Sequence, residues 1–187
     1  MQKPFELLAD FDRRARMGAA GLPAQEELRS YWSGVAFILR GQRYVAPLDE
    51  VHEILHLPGA ITPIPGTMPW VRGVANVRGR LLPLIDLGGF LNLEEASTLS
   101  GKRVLVLELG DIFCGLIVDG VLGMQHFEAE TYNGSIPASV PESLRFCMAG
   151  SYLHKVGQHE SEYLVLSLKA LASNEKFLQV SPSIAVA

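Results

Sequence analysis

The sequence predicts an all-β protein: two small barrels in tandem behind a short helical extension. Apolar residues alternate at period two in four pairs of short runs. Glycine stands at or beside the turns, and the second half repeats the grammar of the first. Many short strands joined by glycine-bearing turns fit a barrel or sandwich and not a βαβ sheet.

Taken in order, Phe5, Leu8, Phe11 and Ala15 recur at helical spacing from Phe5 to about Ala20, with Gly18 and Gly21 as stops. Pro23 followed by Glu26 and Glu27 suits the first turn of a second helix reaching about Tyr31. These helices form an extension over residues 1–32. From Trp32 the period becomes two: Val35 to Leu39, a turn at Arg40-Gly41, and a return through Tyr44-Val45-Ala46. Val74 to Val77, a turn at Arg78-Gly79, and Arg80 to Ile85 make a second hairpin. Val104 to Leu109, Gly110-Asp111 and Phe113 to Val118 make a third. Met148 to Val156 and Tyr163 to Leu168, around a polar turn, make a fourth.

Gly41 to Leu48, then Val51, resembles Gly110 to Ile117, then Val121. Each unit continues through a proline-containing loop to a hairpin ending in Leu84-Ile85-Asp86-Leu87 or Leu166-Ser167-Leu168-Lys169. This repeat places a first barrel at about 33–91 and a second at about 103–172. Residues 92–102 join them inside a domain spanning 33–175, and a loose tail covers 176–187. A groove between two such units is a common binding site.

The 187 residues are 48% hydrophobic and 19% charged, where an ordinary soluble domain carries about 25% charged residues. A membrane span needs about 18 uninterrupted apolar residues, and Leu81 to Leu91 is broken by Pro83, Asp86 and Gly88-Gly89. The expectation is a soluble chain with no membrane insertion. The formal net charge is −4 and no basic cluster exceeds Arg13-Arg14, which argues against a nucleic-acid partner. Cys114 and Cys147 stand far apart, outside any Cys-x-x-Cys pair, and are expected as buried thiols. Acidic Glu6, Asp10 and Asp12 stand where a signal peptide would be apolar, so the expected compartment is the cytoplasm.

His52-Glu53-Ile54-Leu55-His56 matches the H-E-x-x-H zinc motif, and Gly59 extends the match. The third ligand position, however, is Thr62, and a catalytic zinc generally needs three protein ligands. Pro47 and Pro58 also confine any helix here to about ten residues. The reading is two histidines on a short helical turn or a strand edge, with no metal. His126, His154 and His159 lie in no nucleophile context, and no glycine pattern opens a helix after a strand. No catalytic constellation and no cofactor site emerge, which favours a binding module.

The stretch from Pro65 through Trp70-Val71-Arg72-Gly73-Val74-Ala75-Asn76-Val77-Arg78-Gly79 to Leu82-Pro83-Leu84-Ile85-Asp86-Leu87 closely resembles the signature of CheW-like domains. That signature reads approximately P-x-x-V-x-G-V-x-N-L-R-G-x-x-x-P-V-x-D-L, with Val77 here in place of its leucine. Further landmarks follow in order: Tyr44 to Leu48, Val51-His52-Glu53-Ile54, Gly115 to Val121, and Leu164 to Leu168. The resemblance covers about Ser33 to Ala172 and implies two five-stranded SH3-like barrels. It also implies a non-catalytic adaptor joining the cytoplasmic tip of a methyl-accepting chemoreceptor to the regulatory domain of a CheA-type histidine kinase. The extension before residue 33 is similar to that of the family's adaptors in type IV pilus twitching motility, and such an adaptor works at the inner membrane through receptor arrays. Flagellar chemotaxis is the alternative output.

By the same resemblance, Val51, Glu53, Gly73, Asn76, Arg78, Val121 and Met124 face the receptor tip in the groove. Glu53 and Arg78 pair there, and Asn76 closes the turn through its side chain. The kinase contact falls on the first barrel, at Arg40, Gln42, Arg43, Tyr44, Ile61 and Ile64. Trp70 is expected to pack its loop onto the core. Exposed apolar surface at the groove and a barrel edge is expected to account for the apolar excess that two cores leave over.

Overall fold

The computed structural model describes residues 30–93, 101–156 and 159–180. The helical extension expected over residues 1–32 lies outside the described residues up to residue 29, and its expected end is corrected because Tyr31 and Trp32 are the first two residues of a strand.

All four expected hairpins form. They are β1 (Tyr31–Leu39) with β2 (Gln42–Pro47), β4 (Val71–Val77) with β5 (Arg80–Asp86), β6 (Arg103–Leu109) with β7 (Ile112–Val118), and β10 (Met148–Val156) with β11 (His159–Leu166). Three strands were not anticipated: β3 (Glu53–His56), β8 (Gly120–Glu128) and the two-residue β9 (Tyr132–Asn133). Short helices α1 (Leu87–Phe90), α2 (Glu142–Arg145), α3 (Leu168–Ala172) and α4 (Glu175–Leu178) punctuate the strands. Asp86 caps α1 by accepting from Gly89 N, and Ser167 caps α3 by accepting from Ala170 N. These matching caps shift the repeat by one residue, setting Asp86 against Ser167.

The strands form two sheets, ordered β8-β1-β2-β11-β10-β9 and β3-β6-β7-β5-β4. The pairs β2–β11 and β5–β7 are parallel; every other pair is antiparallel. This topology corrects the expected division at residues 92–102, because the hairpin β1–β2 shares its sheet with β8–β11 and not with β3–β5. The second sheet is continuous in sequence, from β3 through β7. The first is assembled from the start and the end of the described chain. Local grammar builds each hairpin, but which hairpins become neighbours depends on the parallel contacts Leu164↔Tyr44 and Leu84↔Gly115, between residues far apart in sequence.

Three cores result. Ala75, Leu82, Leu84, Val104, Val106 and Ile117 fill the second sheet. Ala36, Val45, Phe127, Tyr152, Tyr163 and Val165 fill the first. A third core lies between the sheets and draws Phe37, Leu39 and Tyr44 from one and Leu105, Leu107 and Leu116 from the other. On β1, Ala36 faces the sheet's own core while Val35 and Phe37 face the shared one. On β6, Val104 and Val106 alternate in the same way with Leu105 and Leu107. These strands are buried on both faces and therefore read as continuous apolar runs. The shared layer takes up apolar residues that were expected on exposed surface.

The tail from residue 176 onward is not loose as far as Val180. Phe177 is 2% exposed, with its ring edge-on to Phe90 at 5.2 Å, and Met68 N donates to Val180 O at 2.9 Å. Trp70 packs against the shared core, edge-on to Phe90 at 5.5 Å, as expected.

Candidate interaction surface

The turn joining β4 to β5 carries the most specific part of the motif. Arg78 and Gly79 both have positive φ, 50° and 84°, the left-handed pair that a two-residue hairpin loop requires. Asn76 Oδ1 accepts from Gly79 N at 2.8 Å and closes the turn, the role expected of it. The turn holds the Arg78 side chain 76% exposed, and its guanidinium meets Glu53 Oε1 at 2.6 Å. Glu53 opens β3, at the opposite edge of the same sheet, so the ion pair brings the two edges of the sheet together. With its carboxylate only 28% exposed, Glu53 is the anchored partner and Arg78 the accessible one.

The same strand disposes of the zinc motif as a metal site. Along β3 the side chains alternate, so His52 and His56 lie about 13 Å apart along the strand, where a helix would have stacked them. His52 Nε2 instead lies 3.2 Å from Glu108 Oε2, and Arg80 reaches Glu108 Oε1 at 3.1 Å. The Arg80 hydrogen bond holds the Glu108 carboxyl below its ordinary range, and the Arg80 guanidinium lies 3.8 Å above the ring of Phe113.

The other groups assigned to the receptor divide. Val51 and Val121 are half-buried against the shared core. Met124 is 54% exposed, with Leu122 exposed two residues before it on β8. Gly73 is buried at a register shift in β4 with φ 129°, and a Cβ there would stand 2.2 Å from Thr62 O. Its role is therefore to let the 61–63 segment pass, which corrects its assignment as a contact residue. Two exposed apolar residues beside the pair went unnamed. Leu81, 68% exposed, stands opposite Asn76, and Ile54 follows Glu53. Period two could have found Leu81, because Leu82 and Leu84 point into the core.

The kinase group also divides. Gln42 and Arg43 are exposed at the end of the first hairpin, and Ile64 is exposed in the loop before β4. Ile61 packs against the core of the second sheet. Two assignments are corrected. Tyr44 is 3% exposed and stacked on Phe37 at 5.6 Å, and burial pushes its phenol pKa up. Arg40, although at the turn, folds inward with a side chain 9% exposed. Its guanidinium lies 3.3 Å from Asp86 Oδ1 and 3.5 Å from Asp119 Oδ1, and its backbone N–H donates to Asp119 Oδ2. Lys102, 5% exposed, lies 3.6 Å from Asp119 Oδ1. Neither Arg40 nor Tyr44 presents a side chain to a partner.

Another buried carboxylate had no signal of its own. Glu50 is 6% exposed and accepts from the backbone N–H groups of Leu168 and Lys169, covering the start of α3. Both cysteines are buried as expected, and desolvation pushes each thiol up to about 12.

No described helix is long and apolar enough to cross a membrane. The chain is 48% identical to Protein PilI of Pseudomonas aeruginosa over 181 residues, 97% of this chain and 98% of that one. It is 30% identical to the chemotaxis protein CheW of Klebsiella aerogenes, covering 86% of this chain and 95% of the relative. The scaffolding protein TtCheW of Thermoanaerobacter tengcongensis superposes with a TM-score of 0.62 at 22% identity, over 79% of this chain and 91% of that structure, a likeness of fold. The family model described as CheW-like domain matches residues 33–174, from the third residue of β1 to the residue before α4. With a family model matching most of its length and relatives at 48% and 30% identity covered almost end to end, the chain belongs to the CheW-like domain family.

Proposed function

We propose that this CheW-like protein is a non-catalytic, cofactor-free adaptor that couples the cytoplasmic tip of a methyl-accepting chemoreceptor to a CheA-type histidine kinase, in the pathway controlling type IV pilus twitching motility. The observation that carries the reading is the extent of the match to Protein PilI. It takes in 97% of the chain, so most of the segment before residue 33, outside the CheW-like domain itself, falls within it. The site supports an adaptor because its chemistry suits binding. An exposed guanidinium held by a half-buried carboxylate, with Leu81 and Met124 as exposed apolar residues, can dock a helical hairpin through apolar anchors and fix its register by charge. Gln42, Arg43 and Ile64 are the exposed candidates for the kinase. The protein works in the cytoplasm, held at the inner membrane through receptor arrays.

The test is affinity capture from the native cell, with the kinase regulatory domain and the receptor tip as defined baits, beside deletion of the gene. Recovery of both baits with loss of twitching supports the reading. Recovery of neither overturns it, and recovery of both with loss of swimming in place of twitching moves it to flagellar chemotaxis.

A further inference from the structure

The shared core holds the two sheets together by apolar contact alone, and apolar contact has no direction. Across that layer the structure places reciprocal ion pairs. Arg40, in the turn of the first sheet, reaches Asp86 at the end of β5 in the second. Asp119, in the crossover into β8, lies beside Lys102, the residue immediately before β6. Asp119 is tied to the first sheet by both its groups: its backbone N–H donates to Ile38 O at 3.0 Å, and its carboxylate accepts from Arg40 N. The fold accommodates this arrangement at a cost. The Arg40 Nε is buried without a hydrogen-bond partner among the described residues. The guanidinium lies where a side chain at position 88 would begin, since a Cβ on Gly88 would stand 2.5 Å from Arg40 Nε. Buried charged groups of this kind can specify one arrangement among several that an apolar layer tolerates, because a displaced pair leaves a charge uncompensated.

We propose that Arg40 is a positioning residue. With Asp86, Asp119 and Lys102 it forms an ionic clamp that fixes the first sheet relative to the second, and so holds the exposed end of the β1–β2 hairpin and the start of β8 in one relation to the Glu53–Arg78 rim. The clamp rests on the structure itself. Its consequence for simultaneous binding of two partners rests on the adaptor reading above.

The test uses the full chain with spin labels at Gln42→Cys and Leu81→Cys, exposed positions on different sheets. The buried native thiols are left in place, with a control lacking the introduced cysteines that must take up no label. The wild-type background gives one narrow inter-label distance. Arg40→Met removes the charge, and Gly88→Ala keeps every charge but displaces the guanidinium. In both, the expected result is a broadened or shifted distance with the circular dichroism of the folded protein retained. An unchanged distance in Gly88→Ala overturns the clamp, even if Arg40→Met fails to fold. In the protein without introduced cysteines or labels, capture of kinase and receptor singly is expected to persist in Gly88→Ala, while joint recovery falls about fivefold or more. Undiminished joint recovery with an altered distance overturns the positioning role. Should the wild-type protein bind neither bait, the distance measurement still decides the clamp.

Discussion

The turns Arg40-Gly41 and Arg78-Gly79 have the same sequence and the same backbone. Both arginines sit at φ near 50° and both glycines at positive φ, between antiparallel strands. Their side chains end in opposite environments. Arg40 is 9% exposed between two aspartates, whereas Arg78 is 76% exposed with one glutamate. Identical local chemistry thus yields an internal ionic joint in one place and a charged surface handle in the other. What differs is what lies beside the arginine: α1 and the β7–β8 crossover enclose the Arg40 side chain, while solvent surrounds most of Arg78.

The comparison is broken most directly by removing each guanidinium. Arg40→Ala leaves Asp86 without its cation and Asp119 with Lys102 as its one remaining cation among the described residues, and is expected to cost about 3 kcal/mol in urea unfolding. Arg78→Ala is expected to cost less than about 1 kcal/mol, because an exposed pair is screened by solvent, yet to lose receptor capture. Equal losses of stability at both sites would erase the distinction. Replacing arginine by glycine separates side chain from backbone. Arg78→Gly relieves the left-handed strain and is expected to leave stability unchanged or raise it by up to about 1 kcal/mol, whereas Arg40→Gly still destabilises. Asn76→Ala, which removes the acceptor closing the exposed turn, is expected to cost about 1 kcal/mol by the same measurement.

A separate test of the shared layer comes from pH. Cys114 and Cys147 lie in the shared layer with folded-state pKa values pushed up to about 12, above the ordinary thiol value of 9.0. Folding favours their protonated forms. Their contribution is therefore complete below pH 9 and declines as pH rises from 9 toward about 12. Urea midpoints across that window should fall less in a Cys114→Ala, Cys147→Ala variant than in the wild type. Native-state alkylation at pH 8 should leave both thiols unmodified until the protein unfolds.

Much of the fold was legible because its signals are local. Period two and a glycine at the turn specify each hairpin, and the Asn76-x-Arg78-Gly79 stretch announces a left-handed turn closed by a side chain. Strands β3 and β8 were harder to see. The first hides inside a motif that suggests a helix, and the second has its alternation interrupted by Gly120 and Gly123. At the site, the Glu53–Arg78 pair was anticipated through the family pattern, and the structure supplied its geometry. Arg40, Tyr44 and Gly73 were misread as contact residues for one reason: a turn position or a motif position says nothing about what packs over it.

The sequence by itself determined the hairpins, their turns, which face of each strand is apolar, and the family, since these depend on residues within a few positions of one another or on a motif read in order. Only the tertiary structure decided that the first hairpin joins the last rather than its neighbour, that a third core lies between the sheets, and that one arginine of two identical turns is enclosed. Those outcomes depend on contacts such as Leu164 with Tyr44 and Arg40 with Asp119, which join residues distant in the chain and adjacent only in the folded structure.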